Sequence, residues 1–220
     1  MQARARAMRS EVDASPRFLP IPVASWIQSS SPADFPRFVV FRNMLSLVGA
    51  NGEFDIYHGG LRARDADGGT IFDHADYVRY NDYIREGVKN WSYMKFPFIE
   101  SLGVDNGWYR FGLLARVNNC DHFSTPLAEQ QRKLFMEAGH GRPVQASLAF
   151  HWARLIELLY CTEAIRELLQ DPDISGTELV SKGALQNCGI GVIEAPRGTL
   201  FHHYEIDDDG IVNRANLIVS

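Results

Sequence analysis

The segment Gly189 to Tyr204, GIGVIEAPRGTLFHHY, concentrates side chains able to do chemistry. An apolar strand runs into Glu194-Ala195-Pro196-Arg197-Gly198. Pro196 fixes its own φ, and Gly198 lets the chain turn tightly or approach another group. This bend predicts Arg197 at the end of a buried strand. A guanidinium cannot shed its charge, so a buried one requires an acceptor or an anion. Two partners suit it: Glu194, in a structural pair at the turn, or a bound anionic ligand.

Other segments carry weaker chemical signals. Asp65 to Gly69 (DADGG) has the acidic spacing of a calcium loop. Such a loop needs further oxygen ligands and a closing bidentate Glu, and that position is Asp76 here, so a plain hairpin turn is expected. Cys120, Cys161 and Cys188 are far apart and form no CxxC pair. They suggest neither a disulfide framework nor a self-contained metal site, and a reducing cytoplasm is the default.

These residues must be positioned by elements the sequence also announces. Residues 1–42 are broken by Pro16, Pro20, Pro22, Pro32 and Pro36 and read as an irregular or disordered arm. Glu53 to His58 alternates as a strand does, and Leu61 to Arg64 reads as its return strand. Asp73 to Trp91 is expected as a helix, capped by Asp73, with Tyr77, Tyr80, Ile84 and Val88 on one face. A short helix is expected from Leu113 to Cys120, and another from Thr125-Pro126 to about Ala138. Val144 to Gln170 reads as the longest helix, stopped by Asp171-Pro172. Ile190 to Ile193, Thr199 to Ile206 and Ile211 to Val219 read as strands, the last two joined by Asp207-Asp208-Asp209-Gly210. The fold class expected is α+β and mainly helical, with small peripheral β-hairpins.

Composition narrows the function classes. The chain has 220 residues, 45% of them hydrophobic and 22% charged, enough for a real core. A net charge of -5 supplies no basic surplus for nucleic-acid phosphates. No apolar run approaches the roughly 20 residues that cross a bilayer. Met1 to Ser10 carries Arg4, Arg6 and Arg9 but no apolar region follows, so it is not a secretory signal.

Several motifs, in order along the chain, resemble one family. EAPRG at 194–198, followed by Leu200 and His202, is similar to a late signature of nickel–iron hydrogenase large subunits. Tyr109 to Asn118, YRFGLLARVN, is similar to that family's YRVGPLARLN, with Leu113 where Pro is usual. Trp91 to Pro97, His151 to Glu157 and Ala215 to Val219 also match. The likeness covers about residues 43–220 and leaves 1–42 outside it. It is strongest to the soluble NAD-reducing and methyl-viologen-reducing types.

The resemblance implies an internal fragment of a large subunit, with residues 43–220 a partial large-subunit domain. The full subunit would be an oxidoreductase performing reversible H2 oxidation. It would hold a nickel–iron centre with cyanide and CO ligands. Electrons would pass to an iron–sulfur small subunit, then to flavin-bearing diaphorase subunits, NAD or a related acceptor. Within that scheme Arg197 would stand beside the metal as a fixed cation that stabilises charge separation as H2 splits. Pro196 would line the pocket of the small iron ligands, Glu194 would orient the loop, and His202 would be a supporting hydrogen-bonding group. His203 is expected as a surface or internally satisfied imidazole.

The departure is in the metal ligands. The family binds its metals through cysteines in paired CxxC motifs. This chain has none, as though it begins after the first motif and ends before the second. Nickel binding is therefore not expected of this chain, no cofactor is assigned to it, and it is expected to be inactive alone. The alternative is a non-catalytic, degenerate homologue acting as a structural or assembly partner. The related large subunit of respiratory complex I lost its metals on this fold, but without keeping the EAPRG arginine pattern.

Overall fold

The computed structural model describes residues 39–219. The arm expected at 1–42 lies almost wholly outside the described residues. The strands are β1 (Asn43–Val48), β2 (Gly60–Arg64), β3 (Thr70–Ala75), β4 (Ile84–Val88), β5 (Lys95–Ile99), β6 (Tyr109–Arg110), β7 (Cys188–Ala195), β8 (Gly198–Ile206) and β9 (Val212–Ile218). The α-helices are α1 (Gly103–Asn106), α2 (Leu113–Asn119), α3 (Pro126–Glu137) and α4 (Ala149–Leu168). Three sheets form, ordered β3-β2-β1-β6, β4-β5 and β7-β8-β9.

Helix and strand therefore hold about equal shares, and the fold is mixed α/β rather than mainly helical. The expected helix over Asp73 to Trp91 accounts for much of the difference. Asp73 is taken by the Arg62 guanidinium at 2.7 Å, and His74 turns to φ 48 at the end of β3. Asp76 instead caps a short 3-10 segment, Tyr77–Asp82. Beyond it Ile84 to Val88 pairs antiparallel with Lys95 to Ile99. Tyr80 and Ile84 are buried as the spacing implied, but Val88 is 75% exposed, so the stripe is not one helix face. Cross-strand pairing has overridden a helical period.

Local side-chain bonds explain two smaller differences. Glu53 to His58 forms only an isolated bridge, because the Asp55 carboxylate captures the amides of Tyr57 and His58, both at 2.7 Å. The longest helix starts at Ala149 rather than Val144, since the Val144 amide donates to Asn118 Oδ1 at 2.8 Å and so is held outside it. The turn after β2 is a plain turn: Asp65 Oδ1 accepts the amides of Asp67 and Gly69.

β1 is the element the rest is built on. It pairs antiparallel with β2 and parallel with β6, and everything from Met44 to Val48 is buried. Leu45 and Leu47 join a core with Leu61, Tyr80, Ile84, Ile99, Val192 and Phe201. Strand alternation sends Ser46 to the opposite face. There α2 packs, and Asn119 Nδ2 donates to Ser46 Oγ at 3.1 Å. Every residue of α2 is buried. α3 packs on α4, with Phe135 edge-on to Trp152 at 5.2 Å.

Candidate functional site

Arg116, on α2, is the centre of the most deeply buried charge cluster among the described residues, and its side chain is 2% exposed. Its Nε and Nη2 form a bidentate fork with both Glu157 oxygens at 2.7 Å. Its Nη1 donates to Glu194 Oε2 at 2.9 Å and to the Ala195 carbonyl at 3.0 Å. Bidentate, charge-assisted bonds of this kind are the strong ones. Burial opposes the charge on Arg116, but the Glu157 and Glu194 carboxylates outweigh it and hold the guanidinium protonated.

Glu194 ends β7 as a junction of three elements. Its Oε1 accepts the Leu47 amide of β1 at 2.8 Å and the Thr199 hydroxyl of β8 at 2.8 Å, while Oε2 faces Arg116 on α2. Its carboxyl is raised above the usual range by burial, against the pull of Arg116. The cationic partner of Glu194 is Arg116 and not the neighbouring Arg197.

The bend does not bury Arg197 as the spacing predicted. Both Pro196 and Arg197 lie on the exposed side of the β7–β8 bend. The bend itself is held hard in place. Gly112 has φ 82, and a β-carbon there would overlap the Arg197 carbonyl oxygen; one on Gly198 would overlap the Phe111 ring. The two glycines let the YRFG and APRG segments interlock, which is what Gly allows and other residues do not. His202 is half-buried and lies apart from this cluster, its Nδ1 2.8 Å from the Tyr204 hydroxyl. His203 is 9% exposed and is satisfied, with Nδ1 3.2 Å from the Tyr80 hydroxyl.

Sequence reasoning missed Arg116 and Glu157, although both lie in segments it singled out. A signal existed: an Arg within the apolar run LLARV and a Glu within LIELL imply two charges on helices that must be buried and so must be paired.

The cysteines do not fit a metal centre. Cys120 is fully buried, its thiol pushed up to about 12 by burial. Cys161 sits on α4, also raised by burial, and Cys188 stands on β7. No group of three or more His, Cys, Asp or Glu side chains with metal-binding geometry exists among the described residues. Neither a nickel–iron centre nor an iron–sulfur cluster is matched by these donors. No helix among the described residues is long and apolar enough to cross a membrane.

No protein-family model matches the chain. Curated relatives do. It is 41% identical over 198 residues to the NAD-reducing hydrogenase HoxS subunit beta of Cupriavidus necator, covering 88% of this chain and 39% of that protein. It is 45% identical over 171 residues to a subunit of the vhu F420-non-reducing hydrogenase of Methanococcus voltae, covering 77% of this chain and 40% of that one. It is 40% identical over 196 residues to an F420-non-reducing hydrogenase iron-sulfur subunit of Archaeoglobus profundus, covering 86% and 40%. Among solved structures, an NAD+-reducing [NiFe]-hydrogenase in its H2-reduced state matches 99% of this chain and 48% of its own, at TM-score 0.85 and 41% identity. The Ni-Fe-Se hydrogenase of Desulfovibrio vulgaris Hildenborough shares the fold at TM-score 0.62 and 20% identity.

These designations correct the expectation of a catalytic large subunit. The C. necator relative is named subunit beta and the A. profundus relative an iron-sulfur subunit, and the large-subunit and nickel-binding labels do not carry over. The chain spans about 40% of the length of the curated relatives it matches. What the comparisons give is a chain similar in sequence and fold to part of a subunit of NAD-reducing and F420-non-reducing hydrogenases.

Proposed function

We propose that this chain serves a hydrogenase complex on its electron-transfer side, as a body that docks other polypeptides of that complex. The observation that carries this is the Glu194 junction, which fixes the Pro196–Arg197 bend at the surface. Arg197 makes no hydrogen bond or ion pair among the described residues and is free to meet an acceptor on another chain. The iron-sulfur designation of the A. profundus relative directs the reading to electron transfer. The metals belong, in this reading, to polypeptide beyond the described residues.

Exposed apolar surface supports docking. α4 leaves Leu158, Ile165 and Leu168 at 58%, 55% and 60% exposure. A helix with apolar residues around its whole girth is ordinarily covered. Arg197, on its rigid bend, supplies a charge suited to orienting a partner.

The test is reconstitution. The tagged chain is mixed with the C. necator NAD-reducing hydrogenase assembled without its subunit beta. Stable co-elution is expected, lost in Leu158→Lys/Ile165→Lys with the chain's own melting temperature unchanged. Failure of the folded chain to co-elute would overturn the proposal.

A further inference from the structure

At the far end of β7 from the Glu194 junction, Cys188 faces His203 of β8, Sγ to Nε2 3.5 Å. His203 is buried and its other nitrogen meets the Tyr80 hydroxyl at 3.2 Å. The proton on this imidazole can be located from its neighbours. Lys95 Nζ, a donor only, reaches Asn216 Oδ1 at 3.0 Å, and Glu86 Oε2 lies 2.8 Å from Asn216 Nδ2. Those two contacts fix the Asn216 amide, so its Nδ2 also donates to the Tyr80 oxygen at 3.1 Å. Tyr80 therefore accepts from Asn216, and its own hydrogen has one acceptor among the described residues, His203 Nδ1. An imidazole that accepts at Nδ1 carries its hydrogen at Nε2. That N–H points at the Cys188 sulfur.

We infer that Cys188 and His203 form a thiol modification site, in which the fixed Nε2–H of His203 is aimed at the exposed Cys188 sulfur, the atom that attacks soft electrophiles and low-molecular-weight disulfides. The thiolate is the reactive form of a cysteine, and here the sulfur is exposed with one ring donor facing it. With a disulfide RSSR, the Cys188 sulfur attacks one sulfur atom. A Cys188 S–SR bond forms as the RS–SR bond breaks, and RS− leaves. Cys188 is oxidised and the departing half is reduced. The thiol proton passes to water, and RS− recovers one from water. Glu205 Oε1, 3.8 Å from His203 Nε2 and itself paired with Arg214, competes weakly for the same hydrogen. The other cysteines lack this arrangement: Cys120 is enclosed, and Cys161 is half-buried with no donor aimed at it among the described residues.

The experiment compares folded and urea-unfolded chain at neutral pH. The probes are iodoacetamide and oxidised glutathione, with each cysteine read by peptide mass spectrometry. Unfolding only increases access, so a folded rate above the unfolded one reports activation and not exposure. Cys188 is expected to react roughly threefold or more faster in the folded chain, with Cys120 and Cys161 slower. His203→Gln is expected to bring the Cys188 ratio to one or below. A wild-type ratio of one or less overturns the inference, as does a ratio that His203→Gln leaves unchanged. Should that variant not fold, nitrogen-15 spectra of wild type decide. The His203 signal, assigned by its change on alkylation of Cys188, must show the hydrogen on Nε2; a hydrogen on Nδ1 also overturns it.

Discussion

Two arginine–carboxylate clusters in this chain use the same chemistry in opposite surroundings. Arg116 is 2% exposed and its partners Glu157 and Glu194 are 12% and 0% exposed. Arg62 is almost as enclosed at 4%, but its partners Asp73 and Asp121 are 39% and 48% exposed. Arg64 adds a second cation to Asp121 at 2.7 Å. In the first cluster the ions have exchanged water for one another, so each depends on every other. In the second, water remains the alternative partner of each carboxylate, and screening weakens the pairs.

The comparison is most sharply tested where a charge is stranded. Arg116→Met leaves two carboxylates facing each other out of water. We expect a loss of about 4 kcal/mol or more of unfolding free energy by urea titration, or failure to fold. Adding Glu157→Leu and Glu194→Gln should recover more than half of that loss, because Gln still accepts from Leu47 and Thr199. No recovery would mean the cluster stabilises through something other than mutual charge satisfaction. Glu194→Ala alone should cost about 3 kcal/mol, since it leaves Arg116 with Glu157 as its one carboxylate and unpairs the buried Leu47 amide. By contrast, Asp121→Asn should cost about 1 kcal/mol or less, and less again in high salt.

The smallest expected effect is a difference in acid response. Asp73 is held below the usual carboxylate range by its hydrogen bonds from Arg62. Burial works against Asp121, but Arg62 and Arg64 bring it below that range as well. Their stabilisation is present above the unfolded value of about 4 and is lost as pH falls through their lower folded values. Burial raises Glu194, so the folded state takes up that proton first and gains stability as pH falls through the raised value. In urea midpoints from about pH 7 to 3, Asp121→Asn should flatten the acid loss and Glu194→Gln should steepen it. The same slope in both variants would erase the distinction between the clusters.

The same contrast explains what was legible beforehand. Elements governed by local chemistry were readable: α2, α3 with Pro126 in its first turn (though the Thr125 hydroxyl does not cap it), the DADGG turn, and the three strands of the last sheet. Those decided by distant partners were not. Tyr77, Tyr80, Ile84 and Val88 fit a helix until Lys95 to Ile99 arrives to pair with Ile84 to Val88. The bend at Pro196 was legible because Pro and Gly act on their own backbone. The partner of Glu194 was not, because spacing favoured the neighbouring Arg197 over Arg116, which lies 78 residues away. His203 could be read as satisfied, but not that Tyr80, Asn216, Lys95 and Glu86 settle which nitrogen holds its proton.

The bond from the Leu47 amide to Glu194 spans 147 residues, and it sets a schedule for synthesis. Translation proceeds at about 5–20 residues per second, so β1 leaves the ribosome many seconds before the carboxylate it needs. During that interval the Leu47 amide lacks its acceptor and Arg116 lacks one of its carboxylates. Closing so long a loop is slow compared with forming the β1–β2 hairpin. The central strand is then an open template while the chain is growing, and a nascent-chain chaperone would gain most by binding there until Glu194 emerges.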